Sequence, residues 1–156
     1  MTDIGTSCLC IELRGAAQQL TRVYDAALEG TGINVTQLSL LSSIHGLDSP
    51  TLRALATHTG LDRSTLGRNV RVLERMGLVR IEPGADARTR TLSLTAKGRH
   101  ALGGAAPRWF AIQRELVEAL GGREGFDALL ERVAQAADAA LSDPASAAAG
   151  ARTSSG

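Results

Sequence analysis

The sequence predicts a mainly α-helical protein with one small β-hairpin, and two patterns carry this prediction. Over most of the 156 residues, apolar side chains recur at intervals of three and four, which is the periodicity of one helix face. Residues 78–82 and 91–95 instead alternate apolar and polar side chains, as half-buried strands do. The segment between them, PGADARTR, begins with turn-forming residues, so the two strands should form a hairpin.

Length and composition favour a single soluble domain. A chain of 156 residues can bury a core without metals or disulfides, and 44% of its residues are hydrophobic. It contains no run of about 18 apolar residues that would cross a membrane. Because no basic region precedes an apolar run near the N-terminus, no signal peptide is expected, and the predicted location is the cytoplasm.

Two helices are expected in the first third of the chain. The first spans about residues 10–28, and the segment EGTGIN, with its two glycines, should end it. The second spans about residues 35–45 and turns Leu38, Leu41 and Ile44 inward.

A third and a fourth helix should follow, with a tight turn between them. Ser49 is a good N-cap and Pro50 a good first residue for the third helix, which Gly60 should end. Asp62 or Ser64 can cap the fourth helix, which has one apolar face and one face rich in arginine. Two short helices joined by a glycine-containing turn form the helix-turn-helix pattern. The hairpin directly behind them makes it a winged helix-turn-helix.

The last third of the chain is again helical in pattern. Thr95 can cap the first helix of this part, and Gly103, Gly104 and Pro107 are expected to break or kink it. The segment GGREG should separate it from a final helix.

The apolar faces at both chain ends are wider than a small winged-helix lobe can cover, which favours a second subunit over packing within one chain. We therefore expect dimerisation helices in residues 8–34 and 96–141. The winged helix-turn-helix lobe, a motif that typically binds DNA, should span residues 35–95. Residues 142–156, rich in Ala and Ser, should form a disordered tail.

Basic residues are concentrated in one part of a nearly neutral chain, whose net charge is +1. Residues 61–99 contain nine basic and four acidic residues, a net charge of +5, whereas the remainder contains eight basic and twelve acidic residues, a net charge of −4. Such local basicity favours a face that binds an anion such as DNA, although a solvated arginine-rich surface has the same composition.

Residues 61–98, LDRSTLGRNVRVLERMGLVRIEPGADARTRTLSLTAKG, resemble the core of the MarR family of bacterial regulators. The matching motifs are Leu-Asp-x-Ser-Thr at residues 61–65, x-Leu-Glu-x-x-Gly-Leu-Val at 72–79, Asp-x-Arg at 86–88 and Leu-Thr-x-x-Gly at 94–98. The resemblance implies a homodimer with interlocking terminal helices and two winged lobes on palindromic double-stranded DNA. It also implies repression as the usual outcome of binding.

The fourth helix should read bases, and the wing should reach the minor groove. Arg63 can donate two hydrogen bonds to a guanine, whereas Arg71 and Arg75 lie further along and suit phosphates. Arg88 at the hairpin tip suits a narrow minor groove, and the family's Asp-x-Arg pair implies that Asp86 braces it. The expected DNA-binding residues are Arg63, Ser64, Thr65, Arg68, Asn69, Arg71, Arg75, Asp86, Arg88 and Arg90.

The first helix, over LCIELRGAAQQLTRVY, also resembles that of the organic hydroperoxide resistance regulators, a MarR subgroup. This resemblance places Cys10 on the peroxide-sensing cysteine and Tyr24 on one of two tyrosines that hydrogen-bond it. The other tyrosine position is occupied by Arg14, a cation that can favour the thiolate. Cys8 is too close to Cys10 for an ordinary structural disulfide but could bridge to another chain. No nearby Cys or His would complete a zinc site, so neither a metal nor a cofactor is expected.

A small anionic or aromatic ligand is the competing effector, because the resemblance implies a ligand cleft between the dimerisation helices and the DNA-binding lobe. Arg14 can pair with a carboxylate through two hydrogen bonds. Tyr24, His45 and Trp109 are expected to line the cleft, and ordinary core or surface positions are the alternative for each.

Two other classes of function remain as rivals. An enzyme is not expected, because the sequence contains no catalytic motif and only a thiol peroxidase based on Cys10 is conceivable. Such an enzyme would turn over peroxide with a reductant, whereas a sensor would be oxidised stoichiometrically. A winged helix used for protein contact would lack the steep salt dependence that DNA binding shows.

Overall fold

The computed structural model describes residues 8–84 and 89–142, which form six helices and one two-stranded hairpin. In chain order these are α1 (Leu9–Ala27), α2 (Val35–Gly46), α3 (Leu52–Thr59), α4 (Arg63–Arg75), β1 (Val79–Pro83), β2 (Arg90–Leu94), α5 (Ala96–Ala119) and α6 (Arg123–Ser142). The mainly helical fold with one small hairpin is confirmed. The chain divides into two compact units after Ile112, within α5.

The core of the first unit is built around α2 and α4. The prediction that Leu38, Leu41 and Ile44 of α2 point inward is confirmed, since at most 5% of each is exposed. From α4, Leu66, Val70 and Leu73 are buried at intervals of four and three. The other buried hydrophobic residues are Leu28, Ile33, Leu40, Leu55, Leu78, Val79, Leu92 and Ala105. Burial of one side of α4 fixes which of its faces is left to solvent.

The start of α3 differs from the prediction. Thr51 is the N-cap, and its hydroxyl accepts a hydrogen bond from the Ala54 N–H at 3.1 Å. The predicted cap, Ser49, has a left-handed backbone with φ of +64°, and Pro50 precedes the helix, so both assignments were wrong. The cause is non-local: the Pro50 carbonyl accepts a hydrogen bond from the Leu92 N–H in β2 at 2.9 Å. This hydrogen bond ties Pro50 to the hairpin, and the helix begins only after it, at Leu52.

The turn between α4 and the wing follows from one glycine. Gly77 has φ of +71°, a conformation that residues with a Cβ rarely adopt. The chain reverses there so that the Leu78 N–H donates to the Leu73 carbonyl at 2.9 Å, which satisfies a carbonyl at the end of α4. Leu78 and Val79 are thereby buried at the base of the hairpin.

Of the break or kink predicted at Gly103, Gly104 and Pro107, the break was wrong, because α5 continues without interruption through all three residues. A proline inside a helix costs about 3 kcal/mol because it removes one hydrogen bond and crowds the preceding turn. Packing offsets this cost: Ala105 is fully buried, and Trp109 packs against the core. Gly103, whose carbonyl loses the donor, is exposed, so water can hydrogen-bond it instead.

The first and last helices bury little within one chain. Neither α1 nor α6 contains a buried residue. Their exposed large hydrophobic side chains are Leu9, Ile11, Leu13, Val23, Leu129, Leu130, Val133 and Leu141. Among the described residues, none of the helices is long and apolar enough to cross a membrane. The last helix includes Ser142, and residues 143–156 of the expected tail lie outside the described residues.

Candidate nucleic-acid interface

The N-terminus of α4 is organised by Asp62. Its Oδ1 accepts hydrogen bonds from the backbone N–H groups of Ser64 at 3.1 Å and Thr65 at 2.9 Å, and from the Ser64 hydroxyl at 2.6 Å. Hydrogen bonding by the Ser64 side chain, then by the Thr65 side chain and the Thr65 backbone N–H, holds the pKa of the Asp62 carboxyl well below its usual range. The carboxylate also faces the positive end of the helix dipole. Of the two predicted caps, Asp62 is therefore the one in use.

Acidification should remove this capping contribution. Because the pKa of Asp62 is lower in the folded protein, its ionised form contributes fully to stability above the unfolded pKa of about 4. This contribution begins to fall below that pH and is lost completely only when the pH passes through the lowered pKa of the folded state. We expect the difference in Tm between the wild type and Asp62→Asn, which caps without titrating, to narrow only in part between pH 6 and pH 3. A Tm difference that stays constant over this range would show that the Asp62 charge does not contribute.

The exposed face of α4 carries four arginines. Arg63, Arg68, Arg71 and Arg75 are all exposed, and none of them forms an ion pair with any residue that the structure describes. Arg68, Arg71 and Arg75 occupy the side of the helix opposite the buried apolar residues, whereas Arg63 is exposed at the first residue of the helix. The helix therefore offers unpaired guanidinium groups to a partner from outside the chain.

The hydroxyl groups of the same helix act within it. The Thr65 hydroxyl accepts a hydrogen bond from Arg68 Nη2 at 3.1 Å, and the Ser64 hydroxyl is engaged by Asp62. Both residues stay predicted DNA contacts, and in this structure the Thr65 hydroxyl also holds the Arg68 guanidinium in place. Fixing a long side chain before binding reduces the entropy that binding must overcome.

Asn69 is turned partly toward α2. It is half-buried and lines a cavity of about 300 Å³ together with Asn34, Thr36, Gln37, Leu40 and Val72. It thus lies at the edge of the arginine-rich face, between that face and the start of α2.

The wing is a short antiparallel hairpin. Its register pairs Val79 with Leu94 and Pro83 with Arg90, so each strand is displaced by one residue from the predicted range. Burial of Val79 and Leu92 anchors the hairpin to the core, and Arg90 is exposed at its outer end. The predicted tip residues Asp86 and Arg88 lie outside the described residues.

Three cations that contributed to the local charge excess are engaged at the base of the wing. Lys97 Nζ donates to the Met76 carbonyl and an Arg99 Nη donates to the Leu94 carbonyl, both at 2.8 Å. Arg80 lies 3.6 Å from the Glu82 carboxylate. The charge count of residues 61–99 therefore overstates the number of free cations. Among the described residues of this segment, four of the five remaining cations lie on α4 and the fifth is Arg90.

The winged helix-turn-helix and its basic helix have a close counterpart among solved structures. The M. tuberculosis transcriptional regulator MosR, solved in complex with DNA, is 41% identical to this chain, with a TM-score of 0.76 over 85% of this chain and 98% of that one. A family model described as the MarR family matches residues 31–89. The chain belongs to the MarR family. The family resemblance of residues 61–98 is confirmed, and the chain is a MarR-family transcriptional regulator.

Two more distant MarR-type structures share the fold. A cysteine-to-serine mutant of E. coli MarR, complexed with operator DNA, is 20% identical, with a TM-score of 0.74 over 85% of this chain and 99% of that one. The PcaV regulator of Streptomyces coelicolor, in complex with its natural ligand, is also 20% identical, with a TM-score of 0.74 over 90% of this chain and 98% of that one. No match is found among curated protein sequences.

In this MarR-family chain both cysteines lie at the start of α1. Cys8 is the N-cap residue and is half-exposed, whereas Cys10 is exposed. Arg14 Nη2 approaches Cys10 Sγ to 3.9 Å, one turn further along the helix. Among the described residues no cluster of three or more His, Cys, Asp or Glu side chains could hold a metal ion.

None of the three cavities described for residues 8–84 and 89–142 is lined by any of the four predicted ligand-binding residues. Tyr24 stacks on Trp109 with ring centroids 6.5 Å apart. Arg14 lies ten residues before Tyr24 on the same helix, about 15 Å along its axis. His45 is exposed in the last turn of α2. A single-chain site can therefore use the stacked pair or Arg14, but not both.

Proposed function

We propose that this chain is a homodimeric repressor that binds palindromic double-stranded DNA and leaves it when an oxidant reacts with Cys10. The observation that carries DNA binding is the set of unpaired arginines on the exposed face of α4, next to a hairpin wing. In a winged helix-turn-helix, the second helix enters the major groove. Arginine donors in a fixed fork suit both guanine edges and phosphates.

The terminal helices support the dimer. Residues 8–34 and 96–141 contain apolar side chains that one chain leaves exposed, including Leu9 at 74% and Phe110 at 64%. Exposed apolar surface of this kind marks an interaction site, and a two-fold partner would cover it. Such a dimer would set two copies of the lobe, residues 35–95, on half-sites about 34 Å apart.

The DNA contacts divide by position along α4 and the wing. Arg63 and Arg68, in the first two turns, should contact base edges, with Ser64 and Thr65 organising the helix start. Arg71 and Arg75 should contact phosphates, as should Arg90 at the outer end of the wing. For the wing tip we propose that Arg88 enters the minor groove and Asp86 braces it, whereas Asn69 borders the interface.

Cys10 is the proposed oxidant sensor. Its sulfur is exposed and lies 3.9 Å from Arg14 Nη2, so an oxidant can reach it from solvent. The thiolate would attack the outer oxygen of a hydroperoxide, leaving a sulfenic acid on Cys10 and releasing the alcohol. Cys8 supplies a second thiol at the same helix end. Tyr24 lies fourteen residues away, about 21 Å along the helix, so it could bond the sensing sulfur only across a dimer.

Oxidant release should depend on Cys10. We expect tert-butyl hydroperoxide to release wild-type protein from a DNA fragment selected from a random pool, in a gel-shift titration with stoichiometric peroxide. Cys10→Ser should stay bound under the same treatment, with Cys8→Ser as the matched control. Equal release of wild type and Cys10→Ser would contradict the proposal.

A small aromatic carboxylate is the second candidate effector, and the stacked pair of Tyr24 and Trp109 favours it. The same experiment separates the two candidates. If peroxide has no effect on either protein, release by benzoate, weakened in Trp109→Leu, would assign the trigger to a ligand.

A further inference from the structure

A cleft outside the proposed DNA face lies between the α1–α2 loop and the first half of α5. Its volume is about 260 Å³, and it is lined by Gly30, Thr31, His100, Ala101, Gly104 and Arg108. His100, Gly104 and Arg108 are spaced by four residues and therefore share one face of α5. None of the predicted sensing residues lines this cleft. The four-residue spacing was the signal in the sequence, but nothing there indicated that a loop lies opposite.

Hydrogen-bond donors border the cleft on both sides. An Arg108 Nη donates to the Glu29 carbonyl, which leaves the remaining N–H groups of the guanidinium for another acceptor. His100 is exposed and makes no hydrogen bond or ion pair with any described residue. The Gly30 amide has no acceptor within the described part of the chain, whereas the amides on either side of it donate to carbonyls at the end of α1.

The donor set defines the chemistry of a ligand. No acidic side chain lines the cleft. A guanidinium group binds carboxylate and phosphate through two parallel hydrogen bonds, and an imidazole N–H and a backbone N–H can complete the shell. The volume lies just below the range of about 300–1,000 Å³ that is usual for drug-sized ligands, so it suits a small molecule. We propose that this cleft binds a small oxyanion, a carboxylate or a phosphate, between Arg108, His100 and the Gly30 amide.

Gly104 keeps the cleft open. A Cβ placed on Gly104 would meet no atom within 4 Å, so a side chain there would extend into free space in the cleft. Gly103 is equally unobstructed and exposed but does not line the cleft. The two neighbouring glycines therefore provide a blocking variant and a matched control on the same helix.

Occupancy of the cleft would join α5 to the loop that leads into the DNA-binding lobe. The anion would connect Arg108 and His100 to Gly30, four residues before the capping residue Asn34 of α2. The effect of this link on DNA affinity rests on the proposed function, whereas anion binding itself does not.

The test is calorimetric titration of the full chain, without DNA, with inorganic phosphate and separately with benzoate at constant ionic strength in chloride. We expect saturable binding of at least one probe, similar in wild type and Gly103→Asp, and weaker by at least about tenfold in Gly104→Asp, whose carboxylate would repel the anion. His100→Gln should weaken binding by a smaller factor. Binding of benzoate alone would identify a carboxylate site, and binding of inorganic phosphate alone would identify a phosphate site.

Two results would overturn the inference: no saturable binding of either probe by wild type, or equal affinity in Gly104→Asp and Gly103→Asp. A gel shift of anion-loaded wild type then tests the effect on DNA separately. A protein that binds the anion but no DNA would disprove the proposed function and leave the site intact.

Discussion

Gly98→Ala should destabilise the first unit by about 3 kcal/mol, the upper part of the range for forcing extra atoms into a packed site. A Cβ on Gly98 would lie 2.0 Å from the Leu78 carbonyl oxygen, and backbone cannot move aside as a side chain can. The Thr95 hydroxyl holds the two segments together, since it donates to the Gly77 carbonyl at 2.7 Å and accepts from the Gly98 N–H at 3.0 Å.

Urea denaturation measures this effect, and Gly103→Ala is the control. Alanine at Gly103 meets open space within the same helix, so it should stabilise the protein by about 1 kcal/mol. A Gly98→Ala protein whose free energy of unfolding stays within about 0.5 kcal/mol of wild type would show that α5 can shift away from the wing, contrary to the packing described.

Arg68→Ala should lower affinity for the best DNA site by about 1–3 kcal/mol and relax the base preference at one position of each half-site, because a base-edge contact carries that discrimination. Arg75→Ala should instead weaken binding to all sequences by similar factors, since phosphate contacts carry no sequence information. Competition binding against a panel of single-base variants of the selected DNA measures both effects.

The hydrogen bond between Thr65 and Arg68 allows a finer test of the same contact. Thr65→Val keeps the shape of the side chain but removes the hydroxyl that accepts a hydrogen bond from Arg68. We therefore expect Thr65→Val to lower DNA affinity, but by less than Arg68→Ala does. Thr65→Ser retains the hydroxyl and should retain affinity. If Thr65→Val binds like wild type and Thr65→Ser does not, the threonine methyl group contacts the DNA and the positioning role is wrong.

Local features were the part of the fold that the sequence predicted well. Asp62 and Thr95 cap their helices because a side-chain acceptor needs only the next few N–H groups. The inward face of α4 follows from its apolar spacing alone. The motifs at residues 61–98 predicted the family because they contain both capping residues, and because the Asp-x-Arg motif of the wing lies between them.

Long-range contacts account for the errors. Ser49 fails as a cap because Pro50 bonds to a strand about forty residues later, and no local pattern indicates that pairing. Pro107 sits inside an unbroken helix because packing of Ala105 and Trp109 offsets its local cost. The basic count of residues 61–99 did not reveal that Lys97 and Arg99 bond to carbonyls at the base of the wing.

The sensing site was predicted only in part, because its residues are spread along one helix. Sequence placed Cys10 and Arg14 one turn apart, and the structure brings the guanidinium to the sulfur. Tyr24 and Arg14 lie too far apart along α1 to share a small ligand within one chain. A site that combines residues from two chains has no signature in the periodicity of either one.

Binding of DNA phosphates by the α4 arginines is measured by the salt dependence of affinity for the selected palindromic fragment. Arg71, Arg75 and Arg90 from both protomers would make about six phosphate contacts, so log K plotted against log salt should have a slope near −5. Arg71→Ala combined with Arg75→Ala should flatten this slope by more than half. A slope near zero for wild type, or no DNA binding at all, would contradict phosphate binding by the α4 arginines and indicate a winged helix that contacts protein.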